Sequence, residues 1–66
     1  MEPIRCRLVR RWNRGLYHFL GWAVAVPGHP TLDGCYLGRT RDEARRVLAD
    51  WNARRRETGH PVLIED

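Results

Sequence analysis

The sequence predicts a single α+β domain over residues 1–66, an antiparallel sheet of three to four strands packed on one helix in the order β-β-β-α-β. Three observations predict it. The segment 4–12 alternates apolar and polar side chains, the period of a half-buried strand. A longer β-prone run, 16–26, follows it across an Asn/Gly turn. From Thr40 onward, apolar residues recur at helical spacing behind a helix-start signal.

In the first strand Ile4, Cys6 and Leu8 fall on one face, and Arg5, Arg7, Val9 and Arg11 on the other. Asn13-Arg-Gly15 supplies a turn, because Asn and Gly tolerate the positive φ that tight hairpins need. The second strand, counted straight through 16–26, puts Leu20, Trp22, Val24 and Val26 on one face and Tyr17, Phe19, Ala23 and Ala25 on the other. Gly21 interrupts it and marks a bulge. Pro27-Gly-His-Pro30 ends the ladder, since proline lacks a donor, and Leu32-Asp-Gly34 turns the chain into a short third strand, 35–39.

Thr40 and Glu43 have capping-box spacing, and Ala44, Val47, Leu48 and Trp51 form the stripe that the helix buries. Asp42 with Arg46 and Asp50 with Arg54 are spaced for i, i+4 pairs. Arg54-Arg-Arg56 complements the helix dipole, Gly59 supplies a left-handed cap, and Pro61 prevents continuation. Val62-Leu-Ile64 closes the sheet as an edge strand. Trp22 and Trp51 are read as core and Trp12 as exposed.

Composition narrows the chemistry. Sixty-six residues, 42% hydrophobic and 30% charged, make a small globular domain. No apolar run approaches the roughly 20 residues of a membrane span. The first residues, Met-Glu-Pro-Ile-Arg-Cys-Arg, lack the apolar region of a secretory signal, so a cytoplasmic location is expected. The two cysteines, Cys6 and Cys35, are read as small buried thiols rather than a disulfide. Neither they nor His18, His29 and His60 have metal-ligand spacing, so neither metal nor other cofactor is expected.

Catalysis is not expected either. The predicted strands carry no Asp or Glu, whereas metal-dependent nucleases converge several carboxylates from strands. The chain has no serine to serve as a nucleophile.

What remains is a binding surface. The net charge is +4, and every basic residue is arginine, whose planar fork suits phosphates, carboxylates and aromatic faces. If the helix covers the Leu20/Trp22/Val24 side, then Arg5, Arg7 and Arg11 stand beside Tyr17 and Phe19 on the opposite face. Arginines interleaved with aromatics serve nucleic acid through phosphates and stacked bases, or a protein through hot-spot contacts. Arg41, Arg45 and Arg55 form a second basic face on the helix. A free edge strand allows a homodimer by strand pairing.

The order Trp22-Ala-Val-Ala-Val-Pro27, Gly34-Cys35, Gly38-x-Thr40, Glu43-Ala44, Trp51 and Gly59-His-Pro-Val62 resembles the HicB-type antitoxins. The resemblance covers roughly 16–64. It implies a truncated RNase H-like β-β-β-α-β unit that is not itself a nuclease. It also implies a function: binding a small ribonuclease toxin of the double-stranded-RNA-binding fold, or a similar nucleic-acid-processing enzyme, and occluding its active site. A second resemblance carries the alternative of a small DNA- or RNA-binding domain. Three strands, then Leu37-Gly38 before Glu43-Ala44 and a Trp in the helix are similar to the arm-type DNA-binding domain of tyrosine integrases. There the sheet would enter the major groove. A third reading is a mobile-element inhibitor of a host nucleic-acid machine, with the same Arg/aromatic face turned to protein.

Overall fold

The computed structural model describes residues 2–13, 15 and 18–66. Its elements are β1 (Ile4–Asn13), β2 (His18–Ala25), β3 (Tyr36–Gly38), α1 (Arg41–Glu57) and β4 (Leu63–Glu65). One helix packs on a four-stranded sheet of order β3-β2-β1-β4, so the predicted α+β class and element order hold. Among the described residues no helix is long and apolar enough to cross a membrane.

The sheet is mixed, not antiparallel throughout. β1 pairs β2, and β2 pairs β3, antiparallel, but β4 lies parallel to β1 with Ile4, Arg5 and Cys6 opposite Leu63, Ile64 and Glu65. Direction follows from the crossover. A helix of 17 residues, about 26 Å at 1.5 Å per residue, carries the chain back along the sheet. β4 therefore runs the way β3 does, and β1, two antiparallel steps from β3, runs that way too.

The core lies between helix and sheet and consists of Cys6, Val24, Val26, Leu37, Ala44, Leu48 and Leu63. Ile4, Leu8, Trp22, Leu32, Cys35, Val47 and Trp51 pack around it, so the alternation read in β1 and the stripe read in the helix both hold. Both cysteines are free, with Cys6 buried and Cys35 half-buried. Burial, with the Glu65 and Asp66 carboxylates behind it, pushes the Cys6 thiol above its ordinary range.

Local chemistry sets the ends of α1. The Thr40 hydroxyl accepts from the Glu43 amide at 3.1 Å. Among the described residues the reciprocal bond of a capping box is not made. The Glu43 stem lies against Gly38 instead, where an added Cβ would meet its Cγ at 2.8 Å. At the other end the Gly59 amide donates to Arg56 and the His60 amide to Arg55, with Gly59 at φ 76°. That is a Schellman stop, and only a residue at ease in the left-handed region holds it without strain.

The i, i+4 pairs read along the helix are not formed among the described residues. The ion pairs of α1 run across the fold to Glu65 on β4, from Arg45 Nε and Arg41 Nη2, each at 3.2 Å. The bond from Arg45, with that from Arg41 beside it, holds the Glu65 carboxyl below its ordinary range, although partial burial opposes the shift. A lowered folded-state value means that stability from Glu65 is complete above the ordinary glutamate pKa and is lost as the pH falls through the lowered one. Glu65→Gln is therefore expected to lower the urea midpoint at neutral pH. The two proteins should converge in acid, which paired unfolding curves will check.

Candidate binding surfaces on the two sheet faces

Cross-strand partners share a face, so the register tells where each candidate residue stands. Arg7 opposes Ala25, Val9 opposes Ala23 and Arg11 opposes Gly21, while Ala23 opposes Tyr36 and Arg5 opposes Ile64. These residues form the sheet face that the helix leaves uncovered. Arg5, Arg7 and Arg11 stand together there, as the sequence predicted. Val9, Tyr36 and Ile64 are exposed beside them, whereas Ala23 is screened between Val9 and Tyr36 in the ladder.

Two of the three arginines are already positioned. Arg5 Nη1 lies 2.9 Å from Asp66 Oδ1 in a solvent-exposed pair that contributes little to stability. Arg11 Nη1 donates to the Gly34 carbonyl at 2.9 Å, which draws its side chain across β2. Arg7 has no hydrogen-bond partner among the described residues. The face thus presents guanidinium groups with their donors only partly used, next to apolar side chains.

Phe19 is not on this face. The register passes from Arg11↔Gly21 to Trp12↔Phe19, so Leu20 has no partner on β1. One extra residue in β2 flips every side chain beyond it to the other face. Leu20, expected on the face of Trp22 and Val24, is consequently turned from it and exposed, and Phe19 joins Trp12 and Trp22 on the helix side. Tyr17 lies outside the described residues.

The aromatic on the open face is Tyr36, which sequence reasoning missed. Its hydroxyl donates to the Leu20 carbonyl at 2.9 Å, and its ring lies over Gly21, where an added Cβ would be 2.9 Å from Cε2. A bulge leaves a backbone carbonyl without its ladder partner, and Tyr36 takes it. A glycine inside a strand with an aromatic nearby was the available signal, since such rings cover edge glycines.

The second basic face divides. Arg41 and Arg45 are held by Glu65, and Arg41 also lies 5.6 Å from the Trp22 ring centroid. Arg55 is half-buried elsewhere, its Nε donating to the Pro61 carbonyl at 2.6 Å, so it closes the helix onto the following segment. These three do not make one surface.

Among the described residues no group of three or more His, Cys, Asp or Glu side chains is placed to hold a metal. His18 is exposed on β2 and His29 in the loop after it, and among the described residues neither is hydrogen-bonded to the Cys35 thiol as a base for it would be. No protein-family model, curated protein or solved structure matches the chain.

Proposed function

We propose that this protein is a non-catalytic binding module, an antitoxin-like inhibitor that captures a small ribonuclease or similar nucleic-acid-processing enzyme through its open sheet face. One observation carries the reading: Arg5, Arg7 and Arg11 share that face with exposed Val9, Tyr36 and Ile64. A phosphate backbone needs the cations but not the apolar side chains between them. A protein surface uses both, with desolvated aromatic and arginine anchors inside a polar rim. The element order β-β-β-α-β supports the same reading, since it is the order that the resemblance to HicB-type antitoxins implies. The charge of +4 selects a partner with an acidic patch, through steering as well as contact.

The test is inhibition of RNA cleavage by a panel of small toxin ribonucleases of the double-stranded-RNA-binding fold, with the protein titrated in. Inhibition of at least one member is expected. Arg5→Glu with Arg7→Glu should weaken it about 100-fold or more, because breaking a buried interfacial charge pair costs about 2–5 kcal/mol. The double variant should keep its circular dichroism and melting curve, since both side chains are exposed. Equal inhibition by the folded double variant removes the open face from the reading. No inhibition of any member removes the ribonuclease.

A further inference from the structure

The distal end of the β1–β2 hairpin carries side chains that the open face does not use. On the helix side of the sheet Trp12 and Phe19 meet across the strands, with ring centroids 5.3 Å apart and planes tilted by 55°. Phe19 meets Trp22 edge to face at 6.2 Å. The Arg10 guanidinium lies 5.8 Å from the Trp22 centroid. Arg10, Trp12, Phe19 and Trp22 line an open cleft of about 250 Å³. Phe19 also lines a neighbouring hollow with Leu20 and Arg39.

The group is not core. Trp12 is 52% exposed and Phe19 44%, so much of each aromatic surface faces water. Among the described residues no carboxylate lines either hollow, and neither Arg10 nor Arg39 has an acidic partner. Arg41, by contrast, is held by Glu65. Flat π surfaces beside unpaired planar cations suit a ligand that is itself flat and anionic at regular intervals. Aromatic faces accept any base, and guanidinium forks take the phosphates between bases.

From this geometry we infer that the hairpin end is a stacking site for single-stranded nucleic acid. Trp12 and Phe19 take the bases, and Arg10 and Arg39 take the flanking phosphates. The site is separate from the open face and stands whether or not the inhibitor reading does. Duplex nucleic acid, whose bases are already stacked on each other, is a poor ligand for it.

Anisotropy of a labelled oligouridylate of about ten nucleotides, titrated with the full chain at several salt concentrations, tests this. Two neutralised phosphates on a single strand predict that log K falls with log salt at a slope of about −1.4. Trp12→Ala should weaken binding about tenfold or more, since losing one base stack costs roughly 1–3 kcal/mol. Arg10→Ala should bring the slope to about −0.7, a readout that loss of packing alone would not move. Arg7→Ala, on the opposite face, should leave affinity within about twofold.

Absence of binding at low salt overturns the inference, as does tighter binding of a duplex of the same length. Binding that Trp12→Ala leaves intact overturns it too. If Trp12→Ala abolishes ribonuclease inhibition while the wild-type chain ignores the oligouridylate, the cleft docks protein and the nucleic-acid assignment fails. The Arg5/Arg7 double variant keeps the two readings distinguishable, because it should lose inhibition while retaining a Trp12-dependent interaction with the oligonucleotide.

Discussion

Gly21→Ala is expected to remove most of the stability of this domain. Gly21 sits at φ 142°, where L side chains rarely go. An added Cβ there would lie 2.4 Å from the Gly38 carbonyl oxygen and 2.7 Å from the Tyr36 hydroxyl. The Tyr36 ring could swing aside only by surrendering its bond to the Leu20 carbonyl. The Gly38 carbonyl is backbone and cannot move without opening the pairing of β2 with β3, in which Trp22 opposes Gly38. Backbone strain costs about 1–3 kcal/mol and forced overpacking about as much again. A chain of this length has roughly 3–10 kcal/mol in total. Urea unfolding followed by tryptophan emission measures the loss, and Gly34→Ala is the control. Gly34 also has a positive φ, 83°, but an added Cβ would meet nothing within 4 Å, so that variant pays strain alone. Equal losses in the two variants would show that close approach at Gly21 is not what fixes the bulge.

That bulge also marks where sequence reasoning stops following the fold. The β1 alternation, the helix stripe, the Thr40 cap and the Gly59 stop were all legible, because each rests on chemistry within a few neighbouring residues. The arginines of the open face were legible for the same reason, since nothing interrupts β1 between Arg5 and Arg11. Gly21 could be read as a bulge, yet the residue that it inserts reverses the parity of Phe19 and Leu20. A count carried straight through β2 therefore assigns both to the wrong side. Tyr36 escaped for a related reason. β3 has three residues, too few for a period, and its own irregularity between Trp22 and Ala23 sets which side Tyr36 takes. The parallel setting of β4 beside β1 was missed as well, because periodicity tells a face and not which strand is the neighbour. The ion pairs of the helix were hidden for the same reason: Glu65 meets Arg41 and Arg45 from 24 and 20 residues away, a contact that spacing within the helix cannot reveal.

Asn52 is the other residue whose role appears only in three dimensions, and Asn52→Ala is expected to release β4. The Ile4 amide donates to Val62 and the Asp66 amide to Cys6, which turns the amide and carbonyl of Leu63 outward, away from β1. Asn52 takes both, its Nδ2 donating to the Leu63 carbonyl and its Oδ1 accepting from the Leu63 amide, each at 2.8 Å. One side chain thereby does the work of a neighbouring strand, on an edge of only three residues. Alanine in its place leaves a donor and an acceptor unmet beside a Leu63 side chain that is 2% exposed. Each unmet group costs about 1–3 kcal/mol where water cannot reach it. The better helix propensity of alanine returns about 0.5 kcal/mol, so the net loss should be about 1.5–5.5 kcal/mol. Asn52→Asp keeps the acceptor but sets a carboxylate against the Leu63 carbonyl, and should recover little. Hydrogen exchange of the Leu63 and Ile64 amides locates the effect, with protection falling there well before it falls in β2. Full stability and a protected Leu63 amide in Asn52→Ala would mean that the edge is satisfied by solvent. The ladder with β1, the burial of Leu63 and the contacts of Glu65 with Arg41 and Arg45 would then suffice to hold β4 without the side chain of Asn52.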